Sequence, residues 1–217
     1  ENIIDLGVPV IEDCGQALGG EVNGKKVGSF GDISTFSFYA TKIIATGSGG
    51  AVASNSALLL EKIKDIGSNY YKNDYKVRFN YRMSDLQASL GISQLSKLDM
   101  FLERRKDIAK EYVSAFKGLN IISPLLKSDR SHIYYRFMVR VNNKRDEYIQ
   151  QMRDRGVICS APDFPLHRFA GLPDHEFPNT KNAYETTISI PIYPYLNDIE
   201  VKHIIDNFID VYRLLTK

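Results

Sequence analysis

Short apolar runs separated by glycine, proline and charged residues dominate the first part of the chain, and helical periodicity follows them. Runs rich in β-branched and aromatic residues predict three strands, at 9–13, 33–38 and 50–54. A helix is predicted over 56–66, because leucine and isoleucine recur there on one face. Ser84 and Gln87 form a capping-box pattern that predicts the start of a long helix, with a stop at Gly118. A helix of that length is expected to bridge two domains.

The second part of the chain has the pattern of a smaller α/β unit. Residues 134–141 alternate as a strand with one buried face, and a helix over 145–155 is predicted to stop at Gly156. Shorter strands are predicted at 157–160 and 188–192. This order of elements indicates a small sheet covered by helices.

A final helix and a long connection complete the predicted fold. Asn197 and Glu200 are predicted to cap the helix, whose apolar positions should cover the small sheet. The proline-rich stretch 163–182 is expected to be the longest loop and a wall of a functional site. Together the patterns predict an α/β protein with two domains, 1–105 with a mostly parallel sheet and 106–217 with a small α/β fold.

Composition limits the possible functions. The chain has 217 residues, of which 43% are hydrophobic and 25% charged, enough for one substantial core or two modest ones. A formal net charge of +2, with both signs interspersed, argues against a nucleic-acid surface. We expect neither a secretory leader nor a membrane span, so a reducing cytoplasm is the default compartment. Cys14 and Cys159 have no metal-like spacing, which favours small core residues and predicts no metal site.

Two residues at predicted strand ends carry the candidate chemistry. Lys42 follows the strand at 33–38; partial shielding from water there would disfavour its charged form and prepare an imine-forming amine. Asp13 ends the strand at 9–13. Pyridoxal phosphate (PLP) requires this pair, because the lysine holds its aldehyde carbon and the carboxylate keeps its pyridine nitrogen protonated. The alternatives are a solvated surface lysine and an aspartate that caps a helix.

Longer blocks around these residues resemble the DegT/DnrJ/EryC1/StrS aminotransferases, PLP enzymes that aminate keto sugars carried on nucleotides. The blocks are IEDCGQALG at 11–19, GKKVGSFGD at 24–32, FSFYATK at 36–42, NYRMSDLQA at 80–88, PLH at 165–167 and SIPIYP at 189–194. They follow the family's order and span nearly the whole chain. The resemblance implies PLP-dependent transferase fold type I, with the later part of the large domain in 1–105 and the small domain in 106–217. It also implies transamination, since members with histidine in place of Lys42 carry out dehydration.

The resemblance assigns the residues that bind the cofactor. Lys42 would hold PLP covalently and move the proton during transfer from the amino donor, expected to be glutamate. Asp13 would pair with the ring nitrogen, and Gln16 would pack against the ring or its phenolic oxygen. Ser37 would donate to the phosphate, and Asn80 would reach the phosphate across a dimer interface. The residues alone leave other roles open: a turn residue for Gln16, a strand hydroxyl bonded to backbone for Ser37 and a helix cap for Asn80.

Three further residues are candidates for contact with substrates. His167 resembles the family's histidine that faces the substrate; the alternative is a solvated loop side chain. Tyr39 could line the pocket beside Lys42, or belong to the core. Arg82 offers a guanidinium fork to the donor's carboxylate, or pairs locally.

Two departures from the family's pattern lie near these residues. Ser48 stands where the family has glutamate, which removes a charge near the cofactor loop. Arg78 and Phe79 replace a Gly-Tyr pair before Asn80, which removes a flexible glycine from the interface loop. Both changes fit a member that has drifted in substrate or relaxed in function.

The resemblance also sets the expected assembly and function. The family's chains begin well before the position of Glu1, so we expect an N-terminal portion to be a separate chain, cleaved off or missing. The expected function is a PLP-dependent aminotransferase for nucleotide-linked keto sugars in surface polysaccharide or deoxysugar synthesis. We expect a homodimer or a partner that supplies the N-terminal half, and no nucleic acid or membrane partner. The alternatives are a catalytically silent binding or assembly partner, and a family enzyme with a non-sugar ketone substrate.

Overall fold

The fold is that of a computed structural model, which describes residues 3–141 and 144–216. The chain forms two compact units, which comprise Glu1–Leu102 with Lys127–Tyr135 and Glu103–Leu126 with Arg136–Lys217. The predicted domains, 1–105 and 106–217, stay a prediction.

Short strands in the first unit build the sheet that carries the candidate site. Among the described residues they are β1 (Ile11–Asp13), β2 (Glu21–Val22), β3 (Lys25–Lys26), β4 (Ile33–Ser37) and β5 (Gly50–Ala53). The main sheet has the order β1-β4-β5, in which β1 runs parallel to β4 and β5 runs antiparallel to it. The three strands predicted from the apolar runs are confirmed, and this sheet is mixed rather than mostly parallel.

Strands β2 and β3 form a tight hairpin that the apolar pattern does not reveal. Its turn residues Asn23 and Gly24 have φ of 50° and 74°. A two-residue type I′ turn requires positive φ at both central positions, which Asn and Gly adopt at low cost. The Asn-Gly pair is therefore the local sequence signal for this hairpin.

Helices of the first unit begin at the predicted caps. Helix α1 (Ala57–Ile66) follows Ser56, whose hydroxyl accepts the amide N–H of Leu59 at 3.3 Å. Helix α2 (Asp85–Leu95) begins with the capping box of Ser84 and Gln87. The helix at 56–66 and the capping box are thus confirmed.

The single long helix predicted from Ser84 onward is wrong, because the chain forms α2 and a separate α3 (Leu98–Ala115). Between them the amide of Lys97 donates to the carbonyl of Gln94 at 3.1 Å, only three residues back. The hydroxyl of Ser96 donates to the Ser93 carbonyl at 2.9 Å. A tightened turn and a hydroxyl that competes for a backbone carbonyl both interrupt an α-helical ladder.

The second unit combines a two-stranded sheet with helices. Its described elements after α3 include β6 (Phe137–Arg140), α4 (Arg145–Asp154), α5 (Leu166–Phe169), α6 (Pro178–Thr186), β7 (Thr187–Ile190) and α7 (Asp198–Leu215). Strands β6 and β7 pair antiparallel, with Phe137 opposite Ile190. The capping box predicted for Asn197 and Glu200 is confirmed at the start of α7.

Two predictions for the second unit are wrong. The stretch 157–160 is not a strand, because only a single bridge joins Ser160 to Ser189. The stretch 163–182 is not a loop, since it contains α5 and the start of α6. Pro178 begins α6 at a position where the missing N–H costs nothing, so proline here starts a helix instead of marking a loop.

Buried aromatic side chains form the core of the second unit. Tyr112, Phe137, Tyr148 and Phe208 are at most 1% exposed. The ring centroid of Phe208 lies 4.6 Å from that of Phe116 and 5.9 Å from that of Tyr148. The buried face of α7 lies at helical spacing and consists of Val201, Ile204, Phe208 and Val211. Phe208 therefore joins α7 to α4 and to Phe116, the residue that directly follows α3.

The first unit has a smaller hydrophobic cluster next to the candidate lysine. Buried Ile43, Leu102 and Ile133 pack there with the partly buried Leu98 and Tyr135. Because Ile43 follows Lys42 directly, the cluster anchors the chain where it leaves the turn after β4.

Both cysteines are buried. Cys14 and Cys159 are each 3% exposed and form no disulfide. Burial raises the pKa of both thiols, that of Cys159 to about 12, so the thiolate is scarce at neutral pH.

The described part of the chain contains no helix with the length and apolar character to cross a bilayer. Its His, Cys, Asp and Glu side chains form no group of three or more that could hold a metal ion.

Candidate active site

Two parallel strands deliver candidate residues to one edge of the main sheet. In the register of β1 and β4, Asp13 lies opposite Thr35, and the amide of Cys14 donates to the Thr35 carbonyl at 2.8 Å. Because the strands are parallel, Asp13 and Ser37 leave the sheet at the same edge. Carboxyl ends of parallel strands are the usual position of ligand sites in α/β proteins.

A turn that begins at Gly15 follows Asp13 and Cys14. Asp13 Oδ1 accepts the amide N–H of Gly15 at 2.9 Å, which fixes the orientation of the carboxylate. A Cβ added at Gly15 would lie 3.0 Å from Asp13 Oδ1 and 3.7 Å from Ser37 Cβ. Glycine at this position therefore keeps clear the space between the carboxylate and Ser37.

Lys42 lies in the turn that follows β4. Its amide donates to the Tyr39 carbonyl at 2.9 Å, and the amide of Thr46 donates to the Phe38 carbonyl at 2.8 Å, which closes the turn. The ammonium lies 5.0 Å from the ring centroid of Tyr135, a cation–π contact, and no described carboxylate pairs with it. Among the described residues, the half-buried amine thus has an aromatic face beside it and no counter-ion.

The remaining candidates at this edge lie at the end of β4 or in the turns after β1 and β4. Ser37 is half-buried, and its hydroxyl accepts the amide N–H of Tyr39 at 3.3 Å, which leaves the hydroxyl proton to donate. Tyr39 is 55% exposed, so it is not a core residue. Gln16 is also exposed. The structure thus places Asp13 and Ser37 at the ends of β1 and β4, and Gln16, Tyr39 and Lys42 in the turns that follow.

The carboxylate of Glu12 holds the loop that precedes β4. Its Oε2 accepts the amide of Gly28 at 2.8 Å, and its Oε1 accepts the amides of Phe30 and Gly31 at 2.5 and 2.6 Å. Burial disfavours the charged form, but the three N–H donors and a nearby lysine outweigh it and lower the pKa of Glu12. The loop is therefore anchored to β1 by a carboxylate that remains ionised.

We expect Glu12→Gln to lower the free energy of unfolding by about 1–3 kcal/mol at pH 7, because three donors then face one neutral acceptor oxygen. The folded-state pKa of Glu12 is depressed. The contribution of the Glu12 carboxylate to the free energy of unfolding is therefore complete above its pKa of about 4.3 in the unfolded chain. It is lost as pH falls through the lower pKa that Glu12 has in the folded protein. Urea unfolding of the wild type and of Glu12→Gln at pH 7 and pH 3 measures both free energies of unfolding. The difference between them should be smaller at pH 3 than at pH 7.

Glu61→Gln is the matched control for this substitution, since Glu61 is exposed on α1. It should change the free energy of unfolding by less than about 0.5 kcal/mol. A Glu12→Gln protein as stable as the wild type at pH 7 would show that the three backbone contacts contribute nothing.

Asn80 and Arg82 line a cavity of about 540 Å³ next to β5. Its lining also includes Ser48 and Gln87, and the Gln87 side-chain amide donates to the Ser48 carbonyl at 2.9 Å. Arg82 is exposed and has no ion-pair partner among the described residues, so the local pairing left open above is absent there. The cavity presents an amide and a guanidinium, a combination that suits an anionic group.

His167 lies in the second unit, on α5, and is not a solvated loop side chain. Its ring is 7% exposed and stacks on Phe177 with 4.6 Å between centroids. Its Nε2 lies 2.9 Å from Asp174 Oδ1. Arg168, and then His167, hold the pKa of Asp174 well below its usual range, so Nε2 faces a charged carboxylate as an N–H donor. The role of His167 at the substrate stays a prediction.

Two residues that shape the site, Tyr135 and Glu12, are not among the site residues predicted from the sequence. Tyr135 places its ring beside Lys42 and its hydroxyl 3.3 Å from Thr41 Oγ1, although it follows Thr41 by 94 positions. No spacing rule connects residues so distant in the chain. Glu12 does have a signal, because Gly28 and Gly31 belong to a short glycine-containing loop whose backbone N–H groups can converge on an anion.

Known proteins share the sequence pattern of this chain. The model of the DegT/DnrJ/EryC1/StrS aminotransferase family matches residues 4–209. The GDP-perosamine synthase of Vibrio cholerae is 34% identical to this chain, over 91% of this chain and 58% of that protein. The chain spans about three fifths of the length of the curated relatives that it matches.

Solved structures resemble the fold closely. The aminotransferase TlmJ from Streptoalloteichus hindustanus superposes with a TM-score of 0.89 at 27% identity, over all of this chain and 62% of that chain. A candidate sugar aminotransferase of Streptococcus pneumoniae in its PMP form gives a TM-score of 0.88 at 25% identity, over 96% of this chain and 58% of that one.

Proposed function

The chain belongs to the DegT/DnrJ/EryC1/StrS aminotransferase family, and on that premise we propose that the protein aminates a keto sugar carried on a nucleotide, with glutamate as amino donor and PLP as cofactor. The fold is type I of the PLP-dependent transferases. The name of the Vibrio cholerae relative supports the substrate class, and the PMP form of the Streptococcus pneumoniae structure supports the cofactor.

One observation carries the proposal: the parallel pairing of β1 and β4 brings an acid and an amine to turns at one edge of the sheet. Asp13 ends β1, Ser37 ends β4, and Lys42 lies in the turn after β4. The residues fit PLP, because Gly15 leaves open the space that a Cβ would fill between the Asp13 carboxylate and Ser37.

Each residue at this edge would bind a different part of PLP. The Asp13 carboxylate would face the pyridine nitrogen, and the Ser37 hydroxyl would donate to the phosphate. Asn80 would add an amide donor to a phosphate, across a dimer interface, so that two subunits complete each site. Gln16 would pack against the ring.

When bound, PLP supplies an electron sink that stabilises negative charge at the donor's α-carbon. Lys42 Nζ would accept the proton of that carbon as a general base and return a proton as a general acid. The aromatic face of Tyr135 keeps the amine of Lys42 near this edge, at 5.0 Å from the ring centroid. Arg82 would receive the donor's carboxylate, and Tyr39 would contact the sugar.

The test is a transfer assay with glutamate that carries a heavy-nitrogen label. The full chain is incubated with PLP and a panel of nucleotide-linked 4-keto and 3-keto sugars, and the sugar products are analysed by mass. We expect one of them to gain the labelled amino group. Cofactor binding without label in any sugar would indicate another ketone as substrate, and absence of cofactor binding would favour a silent assembly partner.

A further inference from the structure

The loop 67–83 joins α1 to α2 and carries Asn80 and Arg82. Within it the amide of Phe79 donates to the Ile66 carbonyl at 2.8 Å, and the amide of Tyr81 donates to the Gly67 carbonyl at 3.1 Å. These two bonds fasten the part of the loop around Asn80 to the end of α1.

Apolar burial does not explain why the loop keeps this course. Tyr71, Tyr75 and Val77 are fully or almost fully exposed at its tip. The rings of Phe79 and Tyr81 stack on each other with 4.9 Å between centroids, and both residues are also exposed. The two backbone bonds hold the loop near Asn80, and a side-chain interaction joins its tip to the end of α1.

The side chain of Arg78 is the buried element of the loop. It is 5% exposed, and its guanidinium forks onto the Asp65 carboxylate, with Nη2–Oδ1 at 3.0 Å and Nε–Oδ1 at 3.1 Å. Nε also donates to the backbone carbonyl of Asp65 at 3.1 Å. On its other side Nη2 reaches Asp74 Oδ1 at 2.7 Å. Arg78 therefore ties the last turn of α1 to the tip of the loop.

The neighbouring lysines do not replace this contact. Lys72 reaches Asp65 at 2.6 Å, and Lys76 reaches Asp74 at 3.0 Å, but each binds only one of the two carboxylates. A guanidinium presents several N–H donors in a fixed plane and so can hold both acids in one geometry. Arg78 is the group that these contacts have in common.

We propose that Arg78 is a positioning residue, which fixes the loop 67–83 so that Asn80 and Arg82 face the cavity beside β5. The inference rests on the proposed function, because the value of this placement lies in the anionic groups that Asn80 and Arg82 would bind. Asn80 and Arg82 follow Arg78 by two and four residues, so release of Arg78 loosens the backbone that carries both.

Arg78→Met tests the proposal, since methionine keeps much of the length and cannot pair with carboxylates. The full chain is titrated with PLP and, separately, with pyridoxal, which lacks the phosphate. We expect the wild type to bind PLP more tightly than pyridoxal. In the variant, the ratio of the dissociation constant for pyridoxal to that for PLP should fall about tenfold, because a charge-assisted contact with the phosphate is weakened. Amide hydrogen exchange should become faster at Phe79 and Tyr81 and stay unchanged in β4 and β5.

Asp65→Asn is the second variant, and it should reproduce both effects, since it removes the charged acceptor of the fork. Lys76→Met is the matched control, because Lys76 binds Asp74 without touching Asp65, and it should behave as the wild type. A wild-type preference for PLP that both Arg78→Met and Asp65→Asn retain overturns the inference alone. A wild type without any preference for PLP overturns the proposed function, and the inference with it.

Discussion

Lys42→Ala is expected to lower the rate of amino transfer about 10³-fold and to abolish covalent attachment of PLP. The magnitude follows from loss of the group that moves the proton, which contributes about 10² to 10⁴ in rate. The amine at this position lies 5.0 Å from the centroid of the Tyr135 ring, and no described carboxylate pairs with it. The labelled-glutamate assay with saturating PLP measures the rate.

Two controls separate the chemistry of Lys42 from its charge. Lys42→Arg keeps a cation beside Tyr135 but cannot form an imine, so we expect it to be as inactive as Lys42→Ala. Lys26→Ala removes an exposed lysine that pairs with Glu21 at 2.6 Å, and it should leave the rate unchanged. A Lys42→Arg protein with wild-type activity would show that only the charge at this position matters.

Phe208→Ala is expected to lower the free energy of unfolding by about 3–5 kcal/mol, the usual cost of removing a fully buried aromatic side chain. Phe208 is fully buried and its ring contacts those of Phe116 on the segment after α3 and Tyr148 on α4. Its loss leaves a cavity where three helical segments of the second unit meet. Urea unfolding followed by circular dichroism measures the change.

The same helix offers a matched control for this loss. Ile199 lies on α7 and is exposed, so Ile199→Ala should change the free energy of unfolding by less than about 0.5 kcal/mol. Equal effects of the two substitutions would mean that the aromatic cluster does not stabilise the second unit.

Local signals in the sequence predict where helices begin. The capping boxes of Ser84 with Gln87 and of Asn197 with Glu200 use bonds within four residues, so they depend little on the rest of the chain. The break after α2 follows from Ser96, whose hydroxyl competes for a backbone carbonyl. A serine within an apolar stripe does not by itself predict that a helix ends there. The stripe therefore predicts one helix where the chain forms two.

Contacts between distant parts of the chain explain most of the remaining differences. The direction of β5 depends on the connection between Lys42 and β5. Backbone hydrogen bonds in this connection reverse the chain, so that β5 runs antiparallel to β4. The aromatic partner of Lys42 comes from Tyr135, which the pattern of its own segment places in a strand. Burial of His167 depends on Phe177 and Asp174, which lie in the connection between α5 and α6.

Placement of the acid and the amine follows more directly from sequence. Asp13 ends one strand and Lys42 lies shortly after another, and two adjacent parallel strands must end at one edge of their sheet. The roles of these residues and of Gln16, Ser37 and Asn80 with PLP stay predictions, because strand order fixes the edge of the sheet and not the ligand there.

Reduction of the PLP-treated protein with borohydride, followed by peptide mass mapping, tests the central claim most directly. Borohydride converts an imine between the cofactor and a lysine into a stable amine, which marks the lysine that formed it. We predict one reduced cofactor per chain, attached to Lys42, and none in Lys42→Arg. Attachment at another lysine, or at none, would contradict the assignment of this edge as the site of amino transfer.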